Sequence, residues 1–93
     1  MILSFASKDT QNFYKTGRSK KVPNSLWKIA LRKLDYLNAA VSIEDLKVPP
    51  GNMLEALKGN YKGKYSIRIN KQYRIVFTFK NSNAYDVEIV DYH

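Results

Sequence analysis

Tyr65-Ser66-Ile67-Arg68-Ile69-Asn70-Lys71-Gln72-Tyr73-Arg74-Ile75-Val76-Phe77-Thr78-Phe79 is the stretch on which the reading of this 93-residue chain turns. Tyr65, Ile67 and Ile69 alternate with Ser66 and Arg68. After a turn at Asn70-Lys71, Tyr73, Ile75, Phe77 and Phe79 alternate with Arg74, Val76 and Thr78. A period of two sends the two sets to opposite faces, so two antiparallel strands are expected with Ile67, Ile69, Ile75 and Phe77 toward a core. Arg68 and Arg74 then point the other way. Asn81-Ser82-Asn83 reads as a second turn, beyond which Tyr85, Val87 and Ile89 alternate with Asp86, Glu88 and Val90 into Asp91-Tyr92-His93. A three-stranded meander closes the chain.

Upstream of the strands the period is helical. Ser7 offers a side-chain oxygen to cap a helix running to about Tyr14 or Lys15, and Gly17 suits the left-handed backbone that ends it. Leu26, Ile29, Ala30, Leu34 and Leu37 form one stripe of a second helix, about Ser25 to Leu37, with Lys28, Arg32, Lys33 and Asp35 largely off the stripe. Ser42-Ile43-Glu44-Asp45 starts a single turn, and Val48-Pro49-Pro50-Gly51 forces an extended segment and a bend. By propensity alone, Asn52 to Gly59 reads as a short capped helix. Helices followed by a run of strands predict an α+β layer, two N-terminal helices on one face of a small antiparallel sheet, in a single domain over residues 1–93. The other face should then be electropositive.

Charge and composition narrow the chemistry. With 44% hydrophobic residues, the chain carries enough apolar mass to fold without staples. It has no cysteine and one histidine, which excludes thiolate nucleophiles, disulfides, sulfur-ligated metals and multi-histidine sites. No apolar run approaches the length of a membrane span, and no leader pattern opens the chain, so a cytoplasmic location and no membrane partner are expected. Sixteen Lys+Arg against eight Asp+Glu leave a formal +8. That potential favours polyanions, nucleic acid first. Its charges are also segregated: Lys58, Lys62, Lys64, Arg68, Lys71, Arg74 and Lys80 occur without an intervening acid.

RNA can be cut when a base takes the 2′-OH proton, a cation stabilises the phosphorane, and an acid protonates the departing 5′-oxygen. Arg74 and Arg68 are candidates to clamp the phosphate, with Lys58 and Lys64 adding charge. Glu55, Asp91, Tyr92 and His93 are candidates for proton transfer. Tyr61, Tyr65, Tyr73 and Tyr92 are candidate base-stacking residues, although strand tyrosines more often pack against neighbours.

Several stretches, taken in order, are distinctive: Ile2-Leu3-Ser4-Phe5, Arg32 to Ala40, Leu57-Lys58-Gly59, Tyr65 to Asn70, Gln72-Tyr73-Arg74-Ile75 and the closing Asp91-Tyr92-His93. Together they make nearly the whole chain resemble HigB-type toxins of the RelE/ParE superfamily of bacterial toxin–antitoxin modules. The resemblance implies a RelE-like order of roughly β-α-α-β-β-β-β, with a short strand in place of the helix around Glu55. It implies an endoribonuclease that enters the ribosomal A site and cuts mRNA with no metal or other cofactor, and a HigA-type helix-turn-helix antitoxin as partner. On that pattern Arg74 matches the arginine that neutralises the scissile phosphate, and Lys58 matches a phosphate-contacting lysine. Asp91, Tyr92 and His93 match the terminus that positions substrate and moves protons. Lys62, Lys64, Arg68 and Lys71 would add RNA and ribosome contacts. One position departs: where related toxins often read L-H-P-L-K-G, this chain has Leu54-Glu55-Ala56-Leu57-Lys58-Gly59, so Glu55 replaces a histidine and takes the role of base, leaving His93 as acid. The competing readings are a ParE-like toxin acting through protein contacts and an RNA-binding module without toxicity.

Overall fold

The computed structural model describes residues 1–91. Its elements are helix α1 (Lys8–Thr16), helix α2 (Trp27–Ala39), and strands β1 (Glu55–Ala56), β2 (Tyr65–Arg68), β3 (Tyr73–Lys80) and β4 (Asn83–Asp91). The strands form one antiparallel sheet in the order β1-β2-β3-β4. The leading strand that the RelE-like order implies is reduced to two parallel bridges on the free edge of β4, Ile2 to Ala84 and Phe5 to Val87.

Local chemistry explains each boundary. Ser7 Oγ accepts from the Thr10 amide at 3.2 Å, and Gly17, at φ 81, ends α1 by donating its amide to Phe13 O at 2.7 Å. At the start of α2, Asn24–Leu26 form a 3₁₀ turn, so the regular helix begins two residues later than the apolar stripe suggests and runs two residues further. The β2–β3 turn is tied by Asn70, whose Oδ1 accepts from the amides of Gln72 and Tyr73 at 2.9 and 2.7 Å. Asn81 and Ser82 both have positive φ, 51 and 64, which is the backbone of a two-residue hairpin turn matched to strand twist.

Both helices cover the same sheet face. Phe13 of α1 and Ala30, Leu34 and Leu37 of α2 pack with Ile67, Ile69, Ile75, Phe77, Ala84 and Val87. Among the described residues no helix is long and apolar enough to cross a membrane.

Three expectations drawn from propensity and period alone are corrected, the first in favour of the short strand that the resemblance implies. The propensity for helix over Asn52–Gly59 is overridden because Met53 adopts a left-handed backbone, φ 48, and Glu55 and Ala56 pair with Ser66 and Tyr65. Lys33 is not off the stripe: it is buried with Leu34, and its Nζ donates to Asn52 Oδ1 at 2.6 Å. Tyr85 does not alternate in step with Val87 and Ile89, because β4 gains a residue opposite β3. Val76 faces Glu88 while Thr78 faces Tyr85, with Asp86 at φ 53 taking up the excess.

The Lys33–Asn52 contact fastens α2 to the loop before β1. Asn52 also donates from Nδ2 to Leu46 O and Val48 O, at 3.1 and 3.3 Å, so one buried amide holds three partners. Burial, with the Arg32 charge alongside, holds the Lys33 ammonium below its ordinary pKa. Asn52→Ala is expected to destabilise the fold by about 3 kcal/mol, since it strands a buried ammonium and two carbonyls. Urea denaturation checks this, and adding Lys33→Met to that variant should recover part of the loss by removing the stranded charge.

Candidate nucleic-acid interface

The sheet face away from the helices is built from the alternate residues of each strand. Register makes it continuous: Glu55 faces Ser66, Ser66 faces Val76, and Val76 faces Glu88 in one row; Arg68 faces Arg74, and Arg74 faces Val90, in the next. Ser66 and Val76 are fully buried yet lie outside the helix-side core, so they form the floor of this second face. Leu57, buried beside them, continues the alternation of β1, its amide bonded to Lys64 O at 2.9 Å.

Arg74 is held over that floor. Its Nη1 donates to Ser66 Oγ at 2.6 Å and to Met53 O at 3.4 Å. The left-handed turn at Met53 aims that carbonyl, and Asn52, one residue earlier, anchors the turn to α2. Arg68, directly across the strand pair, donates from Nε to Asn70 O at 3.0 Å. Two guanidinium groups on opposed strand positions repel, and a bridging anion converts that repulsion into binding.

The remaining sequence-derived candidates divide. Glu55 is exposed on β1 and shares Ser66 as neighbour with Arg74, so carboxylate and guanidinium come to one patch. Lys58 and Lys62 flank the 3₁₀ turn Gly59–Tyr61, and Lys64 precedes β2, so all three lie in the β1–β2 connection. Lys71 is exposed in the β2–β3 turn. Asp91 ends β4 opposite Tyr73, one step past the Arg74–Val90 pair and hence at a position of the opposite face, and its Oδ2 accepts from Gln72 Nε2 at 3.0 Å. Tyr92 and His93 lie outside the described residues. Tyr65 and Tyr73 pack against the helix-side core, Tyr65 with its ring 6.2 Å from that of Phe77, and so are not on the cationic face. Ser66 and Asn52 were not recognised from sequence. The position of Ser66 in the alternation with Arg68 is a legible signal for its face, whereas Asn52 meets Lys33 only through the fold.

Residues 3–93 match the family model described as the RelE-like toxin of type II toxin–antitoxin system HigB. The chain belongs to this HigB-like family. It is 46% identical over 85 residues to Toxin HigB-1 of Vibrio cholerae serotype O1, covering 90% of each chain. It is 29% identical over 99 residues to Endoribonuclease HigB of Proteus vulgaris, covering 100% of each. Among solved structures, the YoeB–YefM complex from Staphylococcus aureus contains a chain that superimposes with a TM-score of 0.58 at 22% identity, covering 100% of this chain and 98% of that one. That likeness is one of fold: two helices on a four-stranded antiparallel sheet. This HigB-like chain is thus a toxin of a type II toxin–antitoxin family that includes a named endoribonuclease.

The geometry makes a prediction about charge. Affinity of this toxin for single-stranded RNA should fall as salt rises, and Arg68→Gln should reduce the log–log slope by about 0.7, the contribution of one phosphate contact on a single strand. Titration of a labelled oligoribonucleotide at several salt concentrations measures the slope. An unchanged slope would take Arg68 off the RNA path.

Proposed function

We propose that this HigB-like toxin is an endoribonuclease that cuts messenger RNA in the ribosomal A site by attack of a 2′-OH on the adjacent phosphate. The observation that carries this reading is the fixed placement of Arg74 on a cationic sheet face, with Glu55 brought to the same patch through Ser66. The relationship to Endoribonuclease HigB of Proteus vulgaris supports it.

In the proposed step a base removes the 2′-OH proton, the 2′-oxygen bonds to phosphorus, and the bond from phosphorus to the 5′-oxygen breaks as an acid protonates that oxygen. The products are a 2′,3′-cyclic phosphate and a free 5′-OH. Arg74, preorganised by Ser66, stabilises the charge that grows on the phosphoryl oxygens. Lys58, Lys64 and Arg68 hold the flanking backbone. Lys62 and Lys71 extend the cationic border toward the ribosome. Glu55 serves as base and His93 as acid, with Asp91 and Tyr92 positioning the nucleotide; no metal or other cofactor enters the step. The partner that restrains the toxin is a HigA-type helix-turn-helix antitoxin, and the site of action is the cytoplasm. The YoeB–YefM complex shows a chain of this fold assembled with an antitoxin.

The deciding experiment incubates the purified toxin with ribosomes programmed with a defined message and maps the cut and its terminal phosphate, with free RNA run in parallel. A cyclic phosphate within the A-site codon on ribosomes alone is the expected result. No cut in either reaction would favour a toxin that acts through protein contacts. Arg74→Ala is expected to lower the cleavage rate by about two to three orders of magnitude, the scale of losing one transition-state donor, with ribosome binding nearly intact. Glu55→Gln is expected to slow cleavage and remove the acidic limb of the pH–rate profile; a profile identical to wild type would reject Glu55 as base.

A further inference from the structure

The bulge in β4 has a side-chain consequence on the cationic face. Three steps of β4, from Tyr85 to Glu88, match two of β3, from Thr78 to Val76, so Tyr85 emerges on the same face as Arg74 while Ala84 turns into the core. Asp86 carries the extra residue at φ 53, a backbone few residues other than glycine adopt readily. The N-terminal segment fastens it: Asp86 N donates to Ser4 Oγ at 2.9 Å and Val87 N donates to Ser4 O at 3.1 Å. Bulges of this kind re-aim a side chain, and they concentrate beside functional sites.

The residue re-aimed is a half-buried aromatic ring with Lys80 Nζ 5.3 Å from its centroid. Thr78, its partner across the strand pair, is four residues along β3 from Arg74, about 13 Å at the rise of a β-strand. A single RNA strand crossing the sheet from Arg74 covers that span with a few nucleotides. We propose that Tyr85 is a stacking platform for one unpaired base of the bound message, which displaces the Lys80 ammonium from over the ring so that Lys80 contacts the phosphate next to it. The inference rests on the endoribonuclease reading above and adds a base-binding subsite to it. A tyrosine ring supplies a π-face that any base can use, and a neighbouring ammonium supplies the charge, which is the combination single-strand binders employ.

The test uses programmed ribosomes and messages that carry a single abasic nucleotide at successive positions around the cut. With wild-type toxin, removal of one base should raise KM by about tenfold, the scale of one lost stacking contact. Tyr85→Leu, which keeps bulk and apolar surface but not the ring, should raise KM by about the same factor on the intact message and show no further rise at that abasic position. Tyr85→Trp should behave as wild type, which separates loss of the ring from loss of folding. Cleavage by wild type together with wild-type KM for Tyr85→Leu would overturn the subsite alone, as would a penalty that adds to every abasic message alike. Absence of cleavage by the wild type would overturn the endoribonuclease reading and this subsite with it.

Discussion

The register between β3 and its two neighbours is the constraint on which the molecule depends. Each step along a strand exchanges faces, so a slip of one residue would carry Ile75 and Phe77 out of the core and bring Arg74 in. The core side holds the slip in check: Ile67, Ile75, Phe77 and Val87 are fully buried under the two helices, and moving such side chains into water is strongly unfavourable. The cationic face is therefore specified from behind. Arg68 and Arg74 stand opposite one another because Ile67 and Ile75 do so on the other side.

β4 shows how a local defect is used within that constraint. Its inner edge pairs with β3, and its outer edge exchanges hydrogen bonds with the N-terminal segment and donates one to α1, from Ile89 N to Thr10 Oγ1 at 3.0 Å. With partners on both edges the strand absorbs an extra residue without losing its register further on. The outcome is a change of face for Asn83, Ala84 and Tyr85, while Val87 to Asp91 keep theirs.

Loops set the remaining geometry of the cationic face. The segment from Ser42 to Met53 forms two short 3₁₀ turns, Ile43–Lys47 and Pro50–Asn52, and is tied at two points. Asp45 Oδ2 accepts from the amides of Val41 and Ser42, bonds that hold its carboxyl below the usual range. Asn52 joins the same segment to Lys33 of α2. The carbonyl of Met53 that meets Arg74 is thus positioned by a chain of contacts reaching back through the loop to the helix layer. Arg74 sits between a strand hydroxyl and a loop carbonyl, which is why its placement belongs to the whole fold.

Periodicity alone determined much of this. Two helices on one face of an antiparallel meander, a core of Ile67, Ile75 and Phe77, the Ser7 and Gly17 caps, and arginines facing away from the helices all follow from spacing, because burial enforces the same period on sequence and structure. The resemblance carried by ordered motifs added the short strand at Glu55, which propensity read as helix. Tertiary structure decided the rest. Lys33 looked like a surface lysine until Asn52, distant in sequence, arrived to bond it. Tyr85 looked like a core residue until Ser4, at the other end of the chain, stabilised the bulge that turned it around. In both cases the partner that changes the residue's environment lies beyond the reach of any local pattern, so only the folded chain brings the two together.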